Sequence, residues 1–514
     1  TSYAAWTQNA LAAYNPPHLT CMWVNEGASN GYTSTLRQGG ALELRFLCWA
    51  YWHSATNTQA ALKANPAVGP ALNAVDMRDI LNAMPPKPGQ TPLALAPAYE
   101  KWAFEILCRG DFDALWEDPS VNFEKHWPAT ADVPTLFSSA WYDSYTRANL
   151  ESYLGLAALK KGPYHLLMGP WTHGDTPIGA SFAGDVEFGP NAALDYNALR
   201  LRWFDHWLKD RETDLTQAAP VHYFVMGGGD AEGVARKNRA GRLQHGGFWQ
   251  SGESWPPPAT LTPYYLHPGG RLTTEVPGAT PEAADAATTY RFDPLHPVPT
   301  IGGSVSSLAR LGDLPPHMAD PDAVPGSLRL EQVVAPGGFD QRTHAGVFGA
   351  QPPFGPLAAR QDVLVFSTEP LDAPLRVVGP IEVKLWVASD APDTDFTAKL
   401  VDVYPPSVDY PQGYALNITD GIQRMRYRDS DSHPTFLTPG ERYAVTIVLY
   451  PTANIFGVGH RIRLDISSSN FPRFDVNPNT GEPLGQNTRT QVANNTVCHN
   501  AVHCSHVMLP IAAP

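Results

Sequence analysis

Hydrophobic positions along the first 215 residues alternate between helical spacing and short apolar runs. Residues 3 to 14 have the spacing of a helix that ends at Asn15-Pro16-Pro17, and Leu19 to Val24 has the apolar character of a buried strand. Strands and helices continue to alternate at Pro134 to Trp141 (strand), Tyr145 to Leu159 (helix), Tyr164 to Pro170 (strand) and Ala192 to Lys209 (helix). This alternation predicts a parallel sheet covered by helices.

A largely helical stretch, residues 33 to 130, separates the first predicted strand from the second. Ala41 to Trp52 and Ala71 to Met84 both carry apolar residues at helical spacing, and Pro-rich breaks separate the pieces. We therefore predict a helical insertion between two strands of the sheet.

Helical periodicity disappears after about residue 215, and short runs rich in Val, Ile, Leu, Tyr and Thr alternate with Pro/Gly turns. Strands are predicted at Val221 to Met226, Val363 to Ser367, Leu375 to Val387, Phe396 to Val403, Tyr443 to Tyr450 and Arg461 to Ser467. Residues 267 to 360 are rich in Pro and Gly and are expected to hold long loops. Many short strands of this kind predict an all-β sandwich or jelly roll over residues 216–514.

Composition narrows the classes of partner and compartment. The formal net charge is -14, which argues against nucleic acid or an anionic membrane as a partner. The five cysteines are odd in number and mostly far apart, so they indicate no disulfide framework and favour a reducing, cytoplasmic compartment. No run of residues is long and apolar enough to span a bilayer.

Three polar residues occupy positions where catalytic groups occur in an α/β fold. Ser2 lies at the start of a predicted helix, Asp143 directly follows one predicted strand, and His173 follows the next. Ligands of an open parallel sheet bind outside the carboxyl ends of its strands. The order Ser, acid, His along the chain is that of α/β-hydrolases.

The chemistry of acyl transfer requires these residue types. A serine hydroxyl is a poor nucleophile until a histidine accepts its proton, and a carboxylate then fixes the tautomer of the imidazole and stabilises the imidazolium. If Ser2 is the nucleophile, the amide of Tyr3 is expected to supply one donor of the oxyanion hole. The other interpretations are a frayed-terminus serine, a helix N-cap for Asp143 and a loop histidine for His173.

Short motifs around these residues resemble the cocaine esterase-like hydrolases, which are grouped with X-Pro dipeptidyl-peptidases and α-amino acid ester hydrolases. The motifs in the first half are Thr1-Ser2-Tyr3 with Thr7-Gln8, Trp141-Tyr142-Asp143, Gly169-Pro170-Trp171-Thr172-His173, and Trp203-Phe204-Asp205 with Leu208-Lys209. Those in the second half are Asp393-Thr394-Asp395-Phe396 with Lys399-Leu400, Asp420-Gly421-Ile422, Gly459-His460-Arg461, and Ser468-Ser469-Asn470-Phe471-Pro472.

This resemblance implies the C-terminal part of an α/β-hydrolase domain over residues 1–215, with a helical cap at about 33–130, followed by a jelly-roll β-sandwich over 216–514. It also implies a nucleophile elbow at Ser2. The family's first elbow glycine would precede Thr1, and its second falls on Ala5. We expect the chain to be a fragment that lacks an N-terminal segment or chain, including the first sheet strands and a tyrosine hydroxyl of the oxyanion hole.

Aromatic residues flank the three candidates and have two interpretations. Trp6, Trp141, Tyr142 and Trp171 either pack in the core or line a pocket for the acyl or leaving group, and we include them as pocket candidates.

Two polar clusters outside this constellation are interpreted as structural. His499, His503, Cys504 and His506 fit no common zinc spacing. The pair Asp393 and Asp395 lacks the remaining ligands of a calcium loop, so a turn is the better interpretation. No metal and no cofactor is predicted.

The sequence therefore predicts a serine hydrolase that cleaves an ester or amide bond of a small molecule through Ser2, His173 and Asp143. One alternative is an N-terminal nucleophile amidohydrolase that uses Thr1, which would place the nucleophile before a strand and not before a helix. The other is a non-catalytic protein whose jelly roll binds a carbohydrate or partner. A homo-oligomer is left open.

Overall fold

The structure is a computed structural model that describes residues 1–57, 65–159, 162–174, 176–216, 218–229, 234–311 and 330–513. Parts of the predicted helical stretch (58–64) and of the predicted loop region (312–329) lie outside the described residues. Within the described ranges, no helix has the length and apolar character needed to cross a membrane.

The first part of the chain is built from the alternating elements that the hydrophobic pattern predicts. Its strands are β1 (Met22–Asn25), β2 (Arg37–Gln38), β3 (Ala41–Leu42), β4 (Thr135–Tyr142), β5 (Tyr164–Thr172), β6 (Phe182–Ala183), β7 (Val186–Glu187) and β8 (Val221–Met226). Its helices are α1 (Tyr3–Ala13), α2 (Arg45–Asn57), α3 (Val68–Asn73), α4 (Met77–Asn82), α5 (Pro97–Cys108), α6 (Ala114–Glu117), α7 (Thr146–Leu159) and α8 (Tyr196–Lys209). Strands β1, β4, β5 and β8 are neighbours in this order and pair in parallel.

The two faces of this sheet are covered by different helices. Successive residues of a strand point to opposite faces. Val24 and Phe137 accordingly pack in one core cluster with Ala5 and Ala12 of α1, while Trp23 packs in another with residues of α8. A parallel sheet between helical layers follows, with the carboxyl ends of β1, β4 and β5 at one edge.

The helical stretch differs from its predicted bounds in two places. Ala41 and Leu42 pair antiparallel with Arg37 and Gln38, so α2 begins only at Arg45. The predicted helix over residues 71 to 84 is divided into α3 and α4, because the Asp76 side chain accepts the Arg78 amide at 2.9 Å and starts a new helix.

The second part of the chain is dominated by strands. They are β9 (Leu243–Gln244), β10 (Gly247–Gly252), β11 (Ala259–His267), β12 (Arg271–Thr273), β13 (Ala287–Phe292), β14 (Ala309–Leu311), β15 (Leu330–Gln332), β16 (Leu364–Ser367), β17 (Leu375–Ser389), β18 (Asp395–Tyr404), β19 (Tyr414–Arg424), β20 (Tyr443–Phe456), β21 (Arg461–Ser467), β22 (Ala493–Cys498) and β23 (His506–Ala512). Single turns of 3-10 or π helix complete the chain at Gly31–Thr35, Pro92–Leu95, Glu124–Ala129, Thr176–Gly179, Pro190–Ala192, Asp214–Thr216, Pro268–Gly270, Leu357–Ala359 and Met425–Tyr427.

The two parts share one continuous sheet. Strand β8 pairs with β20 in parallel at Met226 and Asn454, and β20 continues antiparallel into β17. The six strands predicted after residue 215 coincide with β8, β16, β17, β18, β20 and β21. Residues 287–292 are a strand inside the region expected to hold loops.

Strand β19 was not among the predicted strands, and polar side chains at its end are buried in ion pairs. Arg424 is fully buried and forms a bidentate ion pair with Asp395 at 2.9 Å, and Arg426 just beyond the strand pairs with Asp393 at 2.7 Å. The two aspartates that were considered as calcium ligands are therefore neutralised by arginine. His499 is also held by the chain, through Thr288 at 2.8 Å.

Candidate active site

Three titratable side chains follow three neighbouring parallel strands directly. Glu26 comes after β1, Asp143 after β4 and His173 after β5. Because β1, β4 and β5 are adjacent, their carboxyl ends bring the three side chains together. One carboxylate oxygen of Glu26, one of Asp143 and one ring nitrogen of His173 all lie within 4.8 Å of one another.

Asp143 and His173 form the shortest contact in this group. Oδ1 of Asp143 lies 2.7 Å from Nδ1 of His173, and Oδ2 of Asp143 accepts the Ser139 hydroxyl at 2.9 Å. Asp143 has no exposed surface. A carboxylate at Nδ1 fixes the tautomer with the proton on that atom and leaves Nε2 as the ring nitrogen that can accept a proton.

Glu26 is a second buried carboxyl group at the same histidine. Its Oε2 lies 3.2 Å from Nδ1 of His173 and accepts the Gly174 amide at 2.8 Å, while Oε1 has no hydrogen-bond partner among the described residues. The backbone of Glu26 is left-handed, with φ of 54°, and its amide donates to the carbonyl of Ser138 at 2.7 Å. The strand end thus turns Glu26 inward against β4.

Burial and mutual charge shift the pKa values of this cluster. Burial first, and repulsion by Asp143 second, raise the pKa of Glu26 to about 8. Burial lowers the pKa of His173, but attraction by Glu26 and Asp143 outweighs it, so the pKa of His173 is raised. Glu26 and His173 consequently titrate as a coupled pair.

Ser2 has the backbone geometry of a nucleophile elbow. Its φ is 60° and its ψ is -128°, a strained combination for a residue other than glycine, and α1 begins at the next residue. The Ser2 amide donates to the carbonyl of Asn25 at 3.2 Å, and the Asn25 side chain donates to the Thr1 hydroxyl at 2.8 Å. The end of β1 therefore holds the turn that presents Ser2.

The amide of Tyr3 is one of the first backbone donors of α1, which a helix leaves without intrahelical partners. Ala5 lies where the resemblance leads us to expect an elbow glycine, and its side chain is fully buried. Space for it exists because Gly27 faces it: a Cβ on Gly27 would lie 3.4 Å from Cβ of Ala5 and 2.5 Å from Cγ1 of Val24. Close packing of α1 on β1 is thus kept by a glycine on the strand side.

Ser2 opens onto a cavity of about 410 Å³. Eight aromatic residues line it, seven of them from α1, α2, α5 and α6: Tyr3, Trp6, Phe46, Trp49, Tyr99, Trp102, Trp116 and Tyr145. Tyr145 also stacks on His173, with ring centroids 5.4 Å apart. No hydrogen bond joins Ser2 to His173 in the described chain, and such bonds often tighten only with substrate.

Two larger cavities lie away from Ser2. One, of about 660 Å³, is bounded by Leu81, His296 and Phe471, and the other, of about 720 Å³, by Pro86 and Phe104. Volume alone does not indicate a catalytic site, whereas the smaller cavity is bordered by the candidate nucleophile Ser2.

The four aromatic pocket candidates lie in two places. Trp6 lines the cavity and donates from Nε1 to the carbonyl of Ser120 at 2.7 Å. Trp141, Tyr142 and Trp171 are at most 1% exposed and lie in the core. Each donates a hydrogen bond to a backbone carbonyl in the core. The acceptors are Phe224 for Trp141 Nε1, Asn417 for the Tyr142 hydroxyl and Ala192 for Trp171 Nε1. The pocket role predicted for these three side chains is corrected to core packing, because strands β4 and β5 are covered on both faces.

Two features of the site were missed in the sequence. Glu26 follows a predicted strand as Asp143 and His173 do, and this position was the available signal. The aromatic lining from α2 and α5 carried no local signal, because helical spacing alone does not distinguish a cavity wall from a core.

Glu26, Asp143 and His173 are also the one group of carboxyl and imidazole side chains, among the described residues, close enough to hold a metal ion together. Two carboxylates and one histidine are a plausible donor set for a divalent ion. Their mutual contacts are nevertheless those of hydrogen-bonded partners, with Asp143 at 2.7 Å from Nδ1 and Glu26 engaged with Gly174. The geometry is that of an acid–histidine pair with a second acid beside it.

Family models match both parts of the chain. The model for the X-Pro dipeptidyl-peptidase (S15 family) matches residues 1–175, and the model for the X-Pro dipeptidyl-peptidase C-terminal non-catalytic domain matches residues 213–508. Cocaine esterase of Rhodococcus sp. (strain MB1 Bresler) is 32% identical over 456 residues, which are 86% of this chain and 67% of that protein.

Solved structures share the fold over the whole chain. An aminopeptidase from a marine sediment archaeon (Thaumarchaeota archaeon) superposes with a TM-score of 0.71 at 22% identity, and an α-amino acid ester hydrolase with a TM-score of 0.70 at 23% identity. Each match covers 100% of this chain and 76% of the other. The predicted fold class, an α/β-hydrolase followed by a β-rich domain, is confirmed.

Proposed function

The chain belongs to the X-Pro dipeptidyl-peptidase (S15) family and is a serine hydrolase, and from this premise we propose that Ser2, His173 and Asp143 are its catalytic triad. The observation that carries the proposal is the joint geometry at one sheet edge. Ser2 has elbow dihedral angles, and the Asp143–His173 pair follows the two neighbouring strands.

The proposed reaction proceeds through an acyl-enzyme. Nε2 of His173 takes the proton of Ser2 Oγ while Oγ bonds to the substrate carbonyl carbon. The same proton then passes to the leaving oxygen or nitrogen as its bond to carbon breaks. A water molecule then gives a proton to His173 as its oxygen bonds to the acyl carbon. His173 passes that proton to Ser2 Oγ as the Oγ–carbon bond breaks and the acid is released. Asp143 holds Nδ1–H throughout and stabilises the imidazolium.

The Tyr3 amide is the proposed donor to the oxyanion that forms on the carbonyl oxygen. It follows the nucleophile at the start of α1, where the positive end of the helix dipole also favours negative charge. Loss of one such donor typically costs about 10²- to 10³-fold in kcat.

The cavity favours a substrate with an apolar, aromatic group next to the scissile carbonyl. Its walls are aromatic, and its volume of about 410 Å³ accommodates a ring and a short linker. Among the described residues that line it, Glu105 is the single carboxylate. The charge of Arg45 is balanced by Glu43, so the cavity presents little unpaired charge.

The N-terminal nucleophile alternative gains little support. The Thr1 hydroxyl accepts a hydrogen bond from Asn25 at 2.8 Å, and Ser2, not Thr1, borders the cavity. A helix follows Ser2, where that class of enzyme has a strand.

The test is a series of p-nitrophenyl esters with acyl groups from acetate to phenylacetate. We expect kcat/KM to be at least about tenfold higher for aromatic acyl groups than for acetate, since added apolar groups are worth that much in a fitting pocket. Trp102→Ala should reduce this preference, whereas Ser2→Ala should abolish hydrolysis of every ester. Hydrolysis that persists in Ser2→Ala, or a preference for acetate, contradicts the proposal.

A further inference from the structure

The catalytic histidine faces two carboxyl groups, and the proposed triad uses only one of them. Glu26 Oε2 is 3.2 Å from Nδ1 of His173, against 2.7 Å for Asp143 Oδ1. Both carboxyl groups have no exposed surface. Burying a second carboxylate beside the first is unfavourable unless its charge or proton has a partner there.

The contacts of Glu26 connect it to the histidine loop and to the elbow. Its Oε2 accepts the Gly174 amide, which directly follows His173, and its backbone follows Asn25, which holds Ser2 and Thr1. Glu26 is also fixed at its own backbone by the Ser138 carbonyl. It therefore connects the end of β1, which holds the turn of Ser2, with β4 and with the loop that carries His173.

We propose that Glu26 is a positioning residue that shares Nδ1 of His173 with Asp143 and stabilises the imidazolium during acyl transfer. This inference rests on the proposed triad. Because Glu26 approaches the same ring nitrogen, it holds the imidazole in the Nδ1–H tautomer, and it partly replaces Asp143 when that carboxylate is lost.

The groups that face Glu26 set the sign of its effect. Asp143 repels its negative charge, His173 attracts it, and Arg45, which lines the cavity, lowers the pKa of His173. Glu26 ionises only as the pH approaches about 8, and once ionised it favours the imidazolium over the neutral ring. Removing the carboxyl group lets the ring lose its proton at lower pH there, so the upper end of the acidic limb of the pH–rate profile moves to lower pH.

Glu26→Gln is the discriminating change, because the amide keeps the shape and an acceptor for Gly174 but carries no charge. In kcat/KM for a p-nitrophenyl ester, we expect the acidic limb to fall by about one pH unit. Asp143→Asn alone should lower kcat by up to about 10⁴-fold. In the Asp143→Asn variant, Glu26→Gln should lower kcat by a factor roughly tenfold larger than the factor it causes in the wild-type protein.

Asp402→Asn is the matched control. Asp402 is a fully buried carboxylate 2.8 Å from Nδ1 of His460 in the second part of the chain, so its loss removes the same kind of pair away from Ser2. It should leave the limb of the pH–rate profile in place. The inference is overturned if the acidic limb of Glu26→Gln stays at its wild-type pH and the loss of kcat in the double variant is the product of the losses in the two single variants.

A spectroscopic measurement on the unaltered protein covers the case in which Glu26→Gln fails to fold. With ¹⁵N-labelled histidine, the ring signals of His173, identified by their loss in His173→Ala, should titrate in two steps because Glu26 is coupled to them. A single step overturns the inference. If Ser2→Ala and His173→Ala retain hydrolysis, the proposed triad itself has failed; if both are inactive and only the Glu26 results are negative, the triad stands and the role of Glu26 does not.

Discussion

The buried Glu26 carboxyl predicts that part of the protein's stability is lost as the pH rises towards 8. Burial, followed by repulsion from Asp143, raises the pKa of this carboxyl from 4.5 to about 8. The folded protein therefore binds the Glu26 proton more tightly than the unfolded chain does. The corresponding stability is fully present below pH 4.5 and is lost progressively as the pH rises through about 8.

The magnitude follows from the size of the shift. A change of about 3.5 pKa units corresponds to on the order of 5 kcal/mol, at about 1.4 kcal/mol per unit. Glu26 is fully buried, so solvent does not screen this term. Glu26→Gln removes the titrating group and should make the free energy of unfolding less dependent on pH across this window.

The assay is chemical denaturation of the wild-type protein and of Glu26→Gln from pH 5 to pH 8.5. We expect the free energy of unfolding of the wild-type protein to fall by several kcal/mol relative to that of Glu26→Gln as the pH rises. Glu117→Gln, at a carboxylate that is about half exposed and paired with Lys125, should show a nearly constant difference. A constant difference for Glu26→Gln, or one that moves in favour of the wild type, would refute the reasoning.

Three further predictions concern the packing around the site. Tyr450→Phe removes the hydroxyl that donates to the buried Ser144 carbonyl at 2.9 Å. The free energy of unfolding should fall by about 1–3 kcal/mol, and kcat should fall because the loop of Asp143 loosens. An unchanged kcat would show that this contact of the second part does not affect the site. Gly27→Ala places a Cβ 2.5 Å from Cγ1 of Val24, which should cost about 1–3 kcal/mol in unfolding free energy and lower kcat through the elbow at Ser2; a wild-type kcat would show that the elbow tolerates this shift. Arg424→Met leaves Asp395 and Asp475 without their buried cation and should cost about 3–5 kcal/mol of stability, while the KM of the remaining folded enzyme stays unchanged; a loss below 1 kcal/mol would contradict this.

The positions of Asp143 and His173 could be predicted from the sequence because they depend on a local pattern. Each residue directly follows an apolar strand, and the order of strands along the chain places both at the same sheet edge. The elbow at Ser2 was predictable from the helix that follows it. Its left-handed backbone, with φ of 60°, depends on the hydrogen bond to Asn25, and no property of Ser2 itself predicts that bond.

The role of Glu26 could not be predicted from its position alone. It follows a strand as the other two do, but its contact with His173 depends on β1 and β5 both neighbouring β4. Trp141, Tyr142 and Trp171 failed as pocket residues for a related reason. Their strands lie between layers of helices and of the second domain, and which face meets a cavity is a property of the tertiary structure.

The boundary near residue 215 and the cap at about 33–130 remain predictions from the pattern change along the chain. Besides Ser2, Tyr3, Trp6 and Tyr145, the cavity is lined by residues between 36 and 121 and by Ser307 of the second part, so both segments contribute to the site. The cytoplasmic location and the small-molecule partner are also predictions.

The most direct test of the central claim is labelling with a fluorophosphonate, followed by mapping of the labelled peptide by mass spectrometry. The triad predicts that the phosphonyl group is bound to Ser2, that His173→Ala abolishes the labelling, and that Asp402→Asn leaves it intact. Label on Thr1, or label on Ser2 that persists in His173→Ala, would contradict the account.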